Sequence, residues 1–232
     1  MFFQRMEKKM MKDVSILTIS ALFRGIEESD LPGLLSCVEA REQTHRRGET
    51  LLHCGDRTDR LGLVLAGTVH IVREDFWGNR SIVGLAGPGD VFAESYALTG
   101  EPLGVSALAA TDCTVLFLSA ARVISGCAQV CGFHERLSRN LLGLVAKKNL
   151  LLTEKMRHMA RKTTREKLLS YLSAQALRAG TSEFEIPLDR QQLADFLGVE
   201  RSAMSAALGK LRDEGILEFR KNRFHLLRRE EE

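Results

Sequence analysis

Residues 186–220 read IPLDRQQLADFLGVERSAMSAALGKLRDEGILEFR, and the fold is decided there. Asp189 stands where a helix N-cap belongs, with Gln192 three residues on, so the two resemble a capping box with Asp in the Ser/Thr place. Leu188 and Leu193 occupy the positions of a hydrophobic staple. Leu193, Ala194, Phe196 and Leu197 give that helix an apolar face, and Gly198 can take the positive φ that ends it. A second helix starts near Arg201, with Val199 and Met204 placed for another staple. Met204, Ala207, Leu208 and Leu211 follow the i, i+3, i+4, i+7 rule and face inward. Glu200 is the weak point, because Glu is a poor N-cap. After Gly215 the period changes to two. Ile216-Leu217-Glu218-Phe219 and Phe224-His225-Leu226-Leu227 read as short strands around Arg220-Lys221-Asn222-Arg223.

Helix, tight Gly turn, helix and hairpin form the plan of a winged helix-turn-helix, which lays one helix in the DNA major groove. With Met204, Ala207, Leu208 and Leu211 inward, Arg201, Ser202, Ser205, Gly209 and Arg212 face outward. Arg201 and Ser202 are in the first turn, where base edges are met. Arg bonds guanine O6 and N7 together, and Ser bonds several bases or a phosphate. Arg212 lies further along and suits phosphate. The basic hairpin tip suits a wing on the phosphate backbone. The expected DNA-binding residues are Arg201, Ser202, Ser205, Arg212, Gln191, Lys221 and Arg223. The competing reading is a solvated helix face and a solvated basic hairpin. Glu200 would bring a carboxylate near phosphates, which is unhelpful. Glu230-Glu232 reads as a frayed acidic end.

The 232 residues suffice for one large or two modest domains. Net charge is only +3, which excludes coating nucleic acid by bulk charge. Basic residues are instead grouped: Lys147-Lys148, then Arg157, Arg161, Lys162, Arg165 and Lys167, then the hairpin. No apolar run approaches the roughly 20 residues that span a bilayer, so no membrane partner is expected. The opening MFFQRMEKKMMKD has no sustained apolar core or cleavage site, which argues against secretion. Five scattered cysteines, Cys37, Cys54, Cys113, Cys127 and Cys131, suit reduced thiols in a cytoplasm.

Residues 45–120 read as many short strands. Leu61, Leu63 and Leu65 alternate with less apolar neighbours, and Val69 and Ile71 repeat the theme after Gly67. Ile82-Val83 and Val115-Leu116-Phe117-Leu118 add apolar runs, and Asp75-Phe76-Trp77-Gly78-Asn79-Arg80 looks like a hairpin tip. Short strands punctuated by glycines argue for a sandwich or small barrel, whose interior can hold one small ligand. The candidate lining is Val91-Phe92-Ala93-Glu94-Ser95 and Val105-Ser106-Ala107. Glu94 either accepts from ligand hydroxyls or caps local backbone N–H groups. His45, His53 and His70 show no tight ligand pair, so no metal site is expected. Cys127 and Cys131 are four apart and can share a helix face, but two thiols alone do not make a zinc or iron–sulfur site.

Residues 133–160 are rich in helix formers. Leu142, Val145, Asn149, Leu152, Met156 and Met159 step 3, 4, 3, 4, 3, an a/d seam expected at a homodimer interface. Leu137, Leu141, Leu144 and Leu151 form a second stripe, expected to face the chain's own roll. Asn149 at an a position fixes register between two chains. The alternative is one wide face buried within a monomer.

Roll, long helix and winged helix-turn-helix, in that order, resemble the Crp/Fnr superfamily of bacterial transcription regulators. The points of resemblance are Leu65-Ala66-Gly67-Thr68-Val69, Gly87-Pro88-Gly89-Asp90-Val91-Phe92, and the stretch from Leu193 to Leu217. The resemblance implies an α+β fold: an N-terminal double-stranded β-helix (jelly roll) of the cyclic-nucleotide-binding-like type over 1–132, a dimerisation helix over 133–160, and a winged helix-turn-helix over 161–232. It implies a homodimer on double-stranded DNA at a pseudo-palindromic operator, with RNA polymerase as a partner, no enzyme activity, and an unidentified effector in the roll. The family's recognition helix opens on Arg, matched by Arg201. The next place, often Glu, holds Ser202, and a later common Arg is replaced by Ala206, so the target sequence need not be that of the cyclic-AMP-dependent members.

The family's nucleotide pocket is matched by Glu94, Ser106 and Ala107. Val105 stands where the phosphate-binding Arg belongs. A cyclic phosphate would there be buried without a cation, so tight cyclic AMP binding is not expected. The expected effector-pocket residues are Phe92, Glu94, Ser95, Val105 and Ser106, with Asn149 and Thr153 from the long helix. The cysteine cluster of the oxygen-sensing members and a haem ligand are both missing, so no cofactor is expected. A thiol-based redox sensor on the same scaffold would use Cys127 or Cys131. A cupin-type enzyme shares the roll but needs a histidine-rich metal site that this chain lacks.

Overall fold

A computed structural model describes residues 14–75, 77–78, 80–125 and 132–227. The opening segment, Phe76, Asn79, Cys127, Cys131 and the terminal glutamates lie outside the described residues. The chain divides into two compact units, with the boundary between Lys147 and Lys148.

The first unit begins with α1 (Val14–Ile19) and α2 (Leu31–Cys37). Eight strands follow: β1 (Arg41–His45), β2 (Thr50–Leu52), β3 (Arg60–Ala66), β4 (Val69–Glu74), β5 (Arg80–Ala86) and β6 (Val91–Phe92), then, after the short α3 (Glu94–Thr99), β7 (Ser106–Ala109) and β8 (Cys113–Ser119). Next come α4 (Ala120–Ser125) and the long α5 (Gly132–Met159), which runs past the unit boundary. The strands form two antiparallel four-stranded sheets, β1-β8-β3-β6 and β2-β7-β4-β5. That order is a jelly roll, as expected.

Period-two alternation works differently from a half-exposed strand. Leu61, Leu63 and Leu65 of β3 join Leu116 and Leu118 of β8 in a core with α1, α2, α4 and the buried Leu137 and Leu141 of α5. The intervening Val64, Val115 and Phe117 point into the roll with Val69, Ala86 and Phe92. This sheet is therefore covered on both faces, and each buried leucine contributes roughly 1.5–3 kcal/mol. Gly62 makes the second core possible: a Cβ there would lie 2.4 Å from the Phe92 ring. The other sheet ends in β5, whose Ile82, Val83 and Leu85 are exposed. A bulge opposite Ile71 and Val72 leaves Val83 without a cross-strand partner.

The second unit starts in the last turns of α5 and continues with α6 (Thr164–Ala179), β9 (Glu183–Glu185), α7 (Arg190–Leu197), α8 (Arg201–Asp213), β10 (Leu217–Arg220) and β11 (Arg223–Leu226). Its core joins Leu168 and Leu172 of α6 to Leu193 and Leu197, Met204, Leu208 and Leu211, and Leu217 and Phe224. Three differences from the sequence reading have physical causes. Strand β9 pairs antiparallel with β11, a long-range partnership without a local signature. The hairpin turn is shorter than the basic tetrapeptide, because Arg220 and Arg223 face each other as the last strand pair. The second apolar stripe of α5 does not run its full length: Leu137 and Leu141 are buried and Leu144 packs against them, but Leu151 is exposed.

Candidate nucleic-acid interface and effector site

The capping box forms as read. Asp189 Oδ1 accepts from the Gln192 backbone N–H at 2.8 Å, and Gln192 Oε1 accepts from the Asp189 N–H at 2.9 Å. Gly198 ends α7 at φ +60°, and a Cβ there would lie 3.1 Å from Met159 Cε. Glu200 caps α8 with its backbone only. Lys167 Nζ donates to the Leu197 carbonyl at the C-terminal end of α7.

Met204, Leu208 and Leu211 are buried, so Arg201, Ser202, Ser205 and Arg212 face solvent together. Among the described residues no carboxylate pairs with Arg201. Ser205 Oγ donates to the Arg201 carbonyl at 2.9 Å, which leaves its oxygen as an acceptor. Arg212 leans on Asp213, with Nε and Nη2 each 3.3 Å from Oδ1. Gln191 Nε2 donates to Asp195 Oδ1 at 2.9 Å. Lys221 is exposed at the wing turn with φ +55°, and Arg223 pairs with Glu183 at 3.1 Å. Asn222 Nδ2 ties that turn to Glu185 Oε1 at 2.7 Å.

Two features of this unit were not in the sequence reading. Arg190, the first residue of α7, has its guanidinium carbon 4.9 Å from the Phe219 ring centroid and 5.0 Å from that of Phe224. Burial pulls its pKa down. Its position beside Asp189, with phenylalanines in both wing strands, is the signal that would have pointed to it. Behind the interface, α6 opens on a capping box of Thr163 and Glu166 that a search for Thr-x-x-Glu finds. There His158 is buried, with Nδ1 2.8 Å from Ser170 Oγ and Nε2 3.7 Å from Glu154. Burial is the largest influence and pushes its pKa down, while Glu154 opposes.

In the first unit Phe92 is buried edge-on to Phe117, with ring centroids 6.2 Å apart. Glu94, in the first turn of α3, is buried, and Ser95 is exposed. Val105 is half-buried, and Ser106 Oγ accepts from the Cys54 N–H at 3.0 Å. Asn149 and Thr153 belong to the second unit, where both are exposed. Separate from these residues, a cleft of about 350 Å³ opens at the ends of β1 and β8, lined by His45, Glu49, Asp112 and Cys113 among others. Burial pushes the Cys113 thiol up, further from a reactive thiolate. Among the described residues no three His, Cys, Asp or Glu side chains are grouped to hold a metal ion. No described helix is long and apolar enough to cross a membrane.

A family model of the cyclic nucleotide-binding domain matches residues 42–130, and one of the Crp-like helix-turn-helix domain matches residues 166–231. The nitrogen fixation regulation protein FixK of Azorhizobium caulinodans is 26% identical over 217 residues, covering 90% of this chain and 85% of its own. The cyclic AMP receptor protein of Thermus thermophilus is 24% identical over 198 residues, covering 85% of this chain and 88% of its own. Among solved structures, a mutant of CooA from Carboxydothermus hydrogenoformans superposes with a TM-score of 0.56 at 20% identity, over 84% of this chain and 86% of that one, a likeness of fold alone. With both domain models matched in the order in which roll and helix-turn-helix follow one another, the protein belongs to the Crp/Fnr superfamily and is a DNA-binding transcription regulator of that kind.

Proposed function

We propose that the chain acts in the cytoplasm as a homodimer that reads a pseudo-palindromic operator with the helix opening at Arg201. An effector other than cyclic AMP, held in the roll, controls it. The observation that carries this reading is the bare apolar face of α5. Leu142, Leu152 and Met156 are 69%, 60% and 70% exposed, and the exposed Asn149 lies in the same seam. Water is a poor neighbour for such a stripe, and a second α5 covers it as a coiled coil does. Val145 and Met159 belong to the proposed seam with less free surface: Val145 packs beside the core of the first unit, and Met159 is 41% exposed.

In this reading 1–132 senses, 133–160 pairs the protomers, and 161–232 reads DNA. Arg201 and Ser202 choose sequence. Ser205, Arg212, Gln191, Lys221 and Arg223 hold the backbone. A dimer sets two reading helices about one DNA turn apart. Phe92, Glu94, Ser95, Val105 and Ser106 hold the effector within the roll, and it acts by binding one of two states more tightly. RNA polymerase is the downstream partner. Selection of bound DNA fragments, followed by footprinting and sedimentation, tests the reading. An inverted repeat and a dimer are expected, and a monomer that protects no repeat overturns it. Calorimetry with cyclic AMP is expected to give no saturable binding at micromolar concentrations, because Val105 supplies no cation.

A further inference from the structure

We infer that His158 is a proton-responsive latch: neutral, it holds the last turns of α5 on the helix-turn-helix, and protonated, it releases them. The inference goes beyond the function proposed above, and its consequence for operator binding rests on that reading. Residues 148–159 of α5 belong to the reading unit, and among them His158 alone is buried, at 1% exposure. Its neighbours come from two further helices. On α6, Ser170 Oγ lies 2.8 Å from Nδ1, and the Tyr171 ring is 5.7 Å away, centroid to centroid. On α7, the first helix of the helix-turn-helix, the Phe196 ring is 6.5 Å from the imidazole and 5.3 Å from Tyr171. Lys155 Nζ, one turn back on α5, is 5.4 Å from the same Phe196 ring, and Met159 Cε abuts Gly198 at the end of α7.

The charges around the ring decide the sign. The groups that face it are Glu154 and Arg157 from α5 and Tyr171 and Arg178 from α6, while α7 contributes the uncharged Phe196. Glu154 Oε1 is 3.7 Å from Nε2 and is placed as a counter-ion. That carboxylate is already paired with Arg178 and lies 3.8 Å from Arg157. A proton on His158 makes a third cation around one half-buried acid, where little water can screen it. Burial opposes the charged ring further. The neutral ring meets no such penalty, because Ser170 satisfies one nitrogen and aromatic rings pack against it. Once released into water the imidazole titrates near its ordinary value of about 6.5. As pH falls from there toward the lower value of the latched ring, the released state takes up the proton and gains population. With the end of α5 free of α7, the two reading helices of the proposed dimer lose their fixed spacing.

The test is hydrogen exchange of the full chain, read by mass spectrometry from about pH 7.5 to about pH 5.5 with rates corrected for the pH dependence of exchange itself. Protection over 154–171 is expected to fall by up to about tenfold per pH unit below about 6.5, while that of β3 and β8 in the roll holds. His158→Gln cannot take the proton and is expected to remove the dependence. Arg178→Gln, at an exposed position, frees Glu154 for the protonated ring and is expected to blunt it. Constant wild-type protection across the range, or an equal loss in His158→Gln, overturns the inference. If thermal melting shows that His158→Gln does not fold, Arg178→Gln decides, and an acid response as steep as that of the wild type overturns the inference. Titration of a selected duplex at constant salt adds a functional readout, in which wild-type affinity is expected to fall on acidification and that of Arg178→Gln to fall less. Protonating other histidines of the reading unit, such as His225 of β11, adds positive charge and strengthens DNA binding, so a loss carries the sign of the latch. Falling protection in a chain that binds no duplex leaves the latch standing and overturns the DNA-reading function.

Discussion

The candidate sites of the two units differ in the charge they present. The reading unit presents Arg201 with no acidic partner among the described residues, on a helix held from behind by Met204, Leu208 and Leu211. The roll keeps the shape of a nucleotide-binding domain, but Val105 stands where the family resemblance implies a cation, and Glu94 is a buried acid. Shape is maintained by packing over many residues, whereas ligand chemistry depends on one or two side chains. One exchange in a jelly roll can therefore change what it recognises without changing its shape.

The reading unit is most sensitive to changes in its own core. Leu211→Ala opens a hole in its core and is expected to cost about 2–5 kcal/mol. Scanning calorimetry should show the transition of the reading unit moving down while that of the roll stays, and a shift of both together would mean that the units do not melt separately. Arg201→Ala is expected to lose about 1–3 kcal/mol of discrimination between operator and mismatched duplex, whereas Lys221→Ala weakens both alike, as competition binding would reveal. Asp189→Ala removes the capping box and is expected to lower stability by about 1 kcal/mol, read from the denaturant midpoint.

The smallest effect concerns His158. Its folded pKa lies below the ordinary histidine value of 6.5 because burial disfavours the charged ring. Above that value the folded state loses nothing to this group. As pH falls from there through the lower folded pKa, the unfolded chain takes the proton more readily and stability declines. His158→Gln should flatten that acidic limb in denaturation curves measured at several pH values, with the roll's own transition unaffected.

Legibility in the sequence follows the distance over which each signal acts. Asp189 with Gln192, Gly198 with its positive φ, and the Met204-Leu208-Leu211 stripe are short-range patterns, and each is present in the structure. The jelly-roll order required the family resemblance, because β1 pairs with β8 across more than sixty residues, for instance Arg41 with Phe117. Strand β9 was missed for the same reason: Phe184 sits in a three-residue segment that pairs with the distant β11. On α5, heptad counting separated Leu142 and Leu152 from Leu137 and Leu141 correctly by burial. It could not tell Val145, tucked beside the roll core, from its exposed neighbours. The contacts of Arg190 escaped because they depend on two rings brought to it by the wing.

The bulged outer strand β5 has a practical consequence for handling the protein. Ile82, Val83 and Leu85 make it a sticky margin, and such margins invite further strands to dock on their open N–H and C=O groups. The dislocation at Val83 interrupts that array midway, so growth into a continuous cross-β fibre is frustrated after a few residues. Concentrated solutions should accordingly scatter light reversibly on dilution, and a lysine at position 83 is the gentlest change that keeps a preparation monodisperse.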